Sequence, residues 1–92
     1  MTKKEWEEIR RDYIDYSQEY RFMYHGNIEI NLCWSDDDSL PYHVNARILL
    51  KKIFFFKKWK EITSQNYATQ CDLLQHFKID GKTLDEIYEQ LD

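Results

Sequence analysis

Glycine occurs twice and proline once in 92 residues. So few turn and breaker residues exclude a collagen-like, low-complexity or linker-dominated chain and leave room for uninterrupted helices and strands. The two cysteines, Cys33 and Cys71, make no disulfide framework and are expected as free thiols in a cytoplasmic protein. No run approaches the ~18 apolar residues of a membrane-spanning helix. The opening MTKKEWEEIRRDY also lacks the apolar stretch of a secretory leader. His25, His43, His76, the cysteines and the run Asp36-Asp37-Asp38 have no Cys-x-x-Cys, His-x-x-x-His or calcium-loop spacing, so no metal and no cofactor is expected. Cys71 and His76, five apart, would leave a helix on diverging faces, and no catalytic residues are assigned.

Aromatic and charged side chains are abundant instead. Five Phe, seven Tyr and three Trp make 16% of the chain, more than one small core readily hides, which points to a surface that another molecule covers. Charged residues make 33%, with a net charge of -4. They fall in blocks: five basic against ten acidic over residues 1–46, six against none over 47–60, and two against seven over 61–92. The chain is polarised rather than evenly acidic.

Apolar spacing gives the elements. Trp6, Ile9, Tyr13, Tyr16, Tyr20 and Met23 recur in steps of three and four, which predicts an amphipathic helix over residues 2–24. Thr2 and Glu5 would form its capping box and His25-Gly26-Asn27 its stop. Ile28, Ile30, Leu32 and Trp34 alternate with polar partners, as do Tyr42, Val44, Ala46, Ile48 and Leu50, predicting an antiparallel hairpin over 28–34 and 42–50. Further helices are expected over 64–77, capped by Ser64, and over 83–91, where Thr83 and Glu86 repeat the capping pattern. The expected fold is α+β in a single domain: a long N-terminal helix on a small sheet of two or three strands, closed by two short C-terminal helices. The alternative is all-α, with residues 40–62 as one helix.

The segment RILLKKIFFFKKWK, residues 47–60, is the least regular stretch. In neither period do its lysines segregate to one face, as a membrane-surface helix requires, and membrane binding is set aside on that ground. Ile53, Phe54, Phe55 and Phe56 are expected to extend the hairpin strand into the core beneath lysine stems. A stretch such as QCDLLQHFKIDGKTLDEIYEQL resembles a helix-turn-helix, with Leu73, Phe77, Ile79, Leu84 and Ile87 at its buried positions. It lacks the usual turn glycine at Lys78 and the small residue at Leu74, and Asp85, Glu86 and Glu89 would repel phosphates.

Function is expected to be non-enzymatic binding of a macromolecule. The candidate surface is a stripe of carboxylates on the first helix, Glu5, Glu8, Asp12, Asp15 and Glu19, with Tyr16 and Tyr20 beside it and Asp36, Asp37 and Asp38 in a loop. Such a surface suits an inhibitor or adaptor of the phage or mobile-element type that enters the basic cleft of a nucleic-acid-handling protein. The alternative is a small nucleic-acid-binding regulator in which Lys57, Lys58, Lys60 and Lys82 touch phosphates and Trp59 stacks on a base. Partners are therefore a protein or, in the alternative, nucleic acid, with self-association as a further option and no membrane.

Overall fold

The computed structural model describes residues 1–16, 18–53 and 55–92. The elements are α1 (Lys3–Asp15), β1 (Tyr20–Tyr24), β2 (Ile28–Trp34), β3 (Tyr42–Ile53), β4 (Phe56–Tyr67), α2 (Gln70–His76), α3 (Leu84–Ile87) and a 3-10 turn at Tyr88–Gln90. The fold is α+β, as expected. The sheet is corrected from two or three strands to four, antiparallel in chain order, β1-β2-β3-β4, because residues 20–24 and 56–67 add a strand at either side of the hairpin. The all-α alternative is overturned, because residues 42–53 and 56–62 lie in paired strands. No helix among the described residues is long and apolar enough to cross a membrane.

The predicted hairpin is present, and its register sets Leu32 opposite Val44, Ile30 opposite Ala46 and Ile28 opposite Ile48. The helix predicted over residues 2–24 is corrected: it stops at Asp15, and residues 20–24 form a strand. Thr2 caps it as expected, its hydroxyl accepting from the Glu5 N–H while the Glu5 carboxylate accepts from the Thr2 N–H. Only Trp6 and Tyr13 of the apolar stripe are buried within the helix. Tyr20, Phe22 and Tyr24 obey a period of two, and the edge of β2 offers Leu32, Ile30 and Ile28 a neighbour that a helix cannot supply. His25 and Gly26, both with positive φ, make the tight β1–β2 turn rather than a helix stop. Within the predicted helix, Ser17 lies outside the described residues.

All three helices lie on one face of the sheet. There Trp6, Tyr13, Leu73, Phe77, Ile79, Leu84, Ile87 and Leu91 close over Phe22, Tyr24, Ile30, Leu32, Val44 and Ala46. Backbone hydrogen bonds between Met23 and Asp92 in both directions cover part of the free edge of β1. The helix predicted over 64–77 starts instead at Gln70, with Thr69 rather than Ser64 as cap, since residues 64–67 pair with β3. The one predicted over 83–91 is a four-residue helix running into the 3-10 turn. The five positions expected to be buried in the helix-turn-helix-like stretch are buried. Asp80 and Gly81, both at positive φ, form the turn. A four-residue α3 is too short to read a groove, and its Asp85 is occupied: the Trp6 indole N–H donates to it at 2.7 Å and Arg10 lies 3.7 Å away.

Candidate functional site

β2 begins at Ile28, opposite Ile48, so the parts of β3 and β4 beyond that pair have no third strand beside them. At about 3.3 Å per residue the twelve residues of β3 span roughly 36–40 Å, close to the molecule's longest dimension of 39 Å. Residues 49–60 thus form an arm: a two-stranded ribbon projecting from one end of the sheet. Register shifts at Ala46/Arg47 and Leu49/Lys51 bend and twist it near its root.

Its apolar residues are not core, which corrects the expectation for residues 53–56. Phe55 is 98% exposed, Phe56 80% and Ile53 45%, while Phe54 lies outside the described residues. The apolar run was long enough for a strand, but neither β2 nor a helix reaches far enough to cover it. The lysines are the second half of the site. Lys51 stands opposite Lys58 and Lys52 opposite Lys57. Because successive strand residues alternate faces, one like-charged pair lies on each face of the ribbon. Directly opposed like charges destabilise a strand pair. The ion pairs found among the described residues are all made by arginines, so none relieves these lysines. Lys51, Ile53, Phe56, Lys57 and Lys58 line a shallow open depression of about 330 Å³ behind the tip.

The root of the arm is held by the uncovered face of the sheet. Arg47 lies over the Trp59 ring, 4.3 Å from its centroid, and donates to the Glu29 carboxylate at 3.0 Å. Asn31 donates to the same carboxylate at 2.9 Å and to Asn45 at 3.0 Å. Glu29 is therefore only 5% exposed although no helix covers it. Burial pushes its carboxyl pKa upward, but the hydrogen bonds from Asn31 and Arg47 and the charges of Arg47 and Arg21 outweigh burial and hold it below the usual range. Farther along this face His43 bonds to Asn66 and Ser64. Beside β1 an open recess of about 460 Å³ is bordered by Glu19, Arg21, Asn31, Cys33 and Asn45. Burial raises the Cys33 thiol pKa, the opposite of what a nucleophile needs.

Of the residues singled out from the sequence, Lys57, Lys58, Trp59 and Lys60 come together on the arm. Trp59 is half-buried with one face under Arg47, so it is less free for stacking than expected, and Lys82 lies in the turn between α2 and α3. The acidic stripe is not assembled as expected. Glu5 serves the cap, Asp12 pairs with Arg11 at 3.3 Å, Glu8 and Asp15 are exposed on α1, and Glu19 lies beyond the helix beside β1. Tyr16 is the exposed C-cap and Tyr20 is half-buried, stacked on Phe22. Asp36, Asp37 and Asp38 form an exposed β2–β3 loop in which the Asp37 carboxylate accepts from the Ser39 N–H and hydroxyl. Lys51 and Lys52 complete the cationic collar; periodicity does not single them out, because their charges obey neither a helical nor a one-sided strand pattern. The palindromic spacing KKIFFFKK about an apex was the available signal.

No known protein family, curated protein or solved structure matches this chain.

Proposed function

We propose that the chain is a non-enzymatic binding protein whose working element is the β3–β4 arm, and that the arm grips a polyanionic surface. The observation that carries this reading is the pair of unrelieved like-charge contacts, Lys51 with Lys58 and Lys52 with Lys57, beside an exposed apolar apex. A folded ribbon that keeps four lysines face to face gives up stability in isolation and recovers it when anions sit between and around them. The covered face of the sheet builds the body, and the Glu29–Arg47–Trp59 contacts hold the arm's root.

A second reading keeps the acidic groups as a dock for a basic protein partner, of the inhibitor or adaptor kind. It rests on placement: Glu19 and the Asp36–Asp38 loop lie at the end of the sheet away from the arm. Retention on immobilised heparin, a soluble-polyanion probe, separates the two. Wild type should be retained at low salt and elute as salt rises, and Lys51, Lys52, Lys57 and Lys58→Gln should abolish retention. If the wild type passes straight through, while Asp12, Asp15 and Glu19→Lys removes binding to a protein captured from cell extract, the function belongs to the acidic end and the arm reading is wrong.

A further inference from the structure

The geometry points to a lipid bilayer carrying anionic headgroups as the surface the arm docks on, with the apex entering the membrane interface; this inference rests on the polyanion-binding reading above. Three features select a bilayer among polyanions. First, the described residues of the apex are apolar: Ile53 faces Phe56 across the last strand pair, and Phe55 stands in the turn, nearly fully exposed. An arm that follows a nucleic-acid groove needs one wedge residue for a base step and spreads its phosphate contacts down its length. Here several bulky groups share one end.

Second, the lysines stand immediately behind that end and on both faces. Lys52 and Lys57 are one strand step behind the Ile53–Phe56 pair, and Lys51 and Lys58 are two. Two steps at about 3.3 Å, together with the turn, set the apex roughly 7–10 Å ahead of the collar. That matches the roughly 5–10 Å to which interfacial elements bury their apolar face beneath the headgroups. Lysine stems long enough to lie along the ribbon let the ammonium groups meet lipid phosphates all round it. The even distribution that rules out a membrane-surface helix is what a ribbon entering end-on requires. The segment is a hairpin, so the segregation of charge that a surface-lying helix requires does not apply to it.

Third, the densest acidic cluster is held away from the approaching end. The acidic Asp36–Asp38 loop lies at the far end of β3, about 36 Å away by strand rise, several Debye lengths at physiological salt. Backbone pairing continues to the last residues of the ribbon, which limits the unpaired polar groups carried into the interface.

The test uses the full chain and extruded vesicles of phosphatidylcholine alone or with 30% phosphatidylglycerol, read by co-sedimentation. Wild type should bind the anionic vesicles and not the neutral ones, and lose binding as salt rises. Phe55→Ser with Phe56→Ser should lower vesicle partitioning by about tenfold for each phenylalanine while lowering heparin retention far less and moving the melting temperature by no more than several degrees. If that variant binds anionic vesicles as tightly as wild type, the membrane inference is overturned while polyanion binding stands. If the wild type binds neither vesicles nor heparin, both readings fall. Tighter binding to duplex or single-stranded DNA than to vesicles, weakened by the same double variant, would make the apex a base wedge and also overturn the membrane inference.

Discussion

Residues 42–48 and 49–53 belong to one continuous strand, yet Val44 and Ala46 are sealed from water while Leu50, Lys51, Lys52 and Ile53 are open to it. Both stretches carry large apolar residues, Val44 and Ile48 in the first and Leu49, Leu50 and Ile53 in the second. What differs is the neighbour: β2 flanks the first as far as Ile48 and the α-helical layer lies over it, whereas the second has β4 alone. A ribbon of two strands has two faces and no layer to close either, so its apolar residues remain a surface. Burial is thus a property of the assembled layers, and an exposed Phe in this chain reads as an unspent contact rather than a folding defect.

The largest effects should separate these regions most sharply. Trp6 is buried against Phe22 and Tyr88, and its indole N–H donates to Asp85. Trp6→Ala should cost about 3–5 kcal/mol of unfolding free energy through the cavity and the lost contacts. Phe55→Ser with Phe56→Ser should change stability by no more than about 0.5 kcal/mol per site, because the apex touches little. Urea titrations followed by circular dichroism measure both. A tip variant as damaging as Trp6→Ala would show that the apex is buried in solution and would dissolve the distinction between root and tip.

A smaller effect is expected where the root of the arm meets the open face. Glu29→Gln leaves the Arg47 guanidinium without its anion on a partly desolvated surface and should destabilise by about 1–3 kcal/mol at neutral pH. The pH dependence has a definite sign. The folded carboxyl sits below its ordinary value, so it binds a proton less readily than the same group in the unfolded chain. Its contribution is complete well above the unfolded value of about 4.3 and is lost as pH falls through the lower folded value. The stability gap between wild type and Glu29→Gln should therefore be widest near neutrality and close on acidification from pH 5 to pH 3. A gap independent of pH would mean that the Glu29 charge does not hold the root.

Much of this architecture was legible from spacing. Alternation over 28–34 and 42–50 gave the central hairpin, and Thr2 with Glu5 marked the start of α1. The errors share one cause. In residues 16–24 Tyr20 fits both a three-four spacing, with Tyr16 and Met23, and a spacing of two, with Phe22 and Tyr24; only the open edge of β2 decides between them. In residues 51–60 neither period is clean, and whether a strand there is covered depends on the length of its neighbours, which no local pattern encodes. The acidic stripe is shortened by the same route: Glu5, Glu8, Asp12 and Asp15 lie on α1, and Glu19 lies four residues beyond its end.

The finest contrast lies within the arm itself, between what favours its folding and what favours its function. Lys58→Glu replaces one opposed pair of like charges with an attractive pair across the strands, facing Lys51. It should stabilise the ribbon by about 0.2–1 kcal/mol at low salt, an increment that shrinks as salt screens the exposed pair. The same change takes two units of positive charge from the collar and should weaken binding to anionic vesicles and to heparin several-fold. Stability and affinity should thus move in opposite directions from one substitution, with thermal melts and co-sedimentation run on the same preparation. A variant that gains stability and keeps full affinity would show that the opposed lysines serve no anion, and the charge of the arm would then be explained by keeping an uncovered ribbon from pairing with other strands.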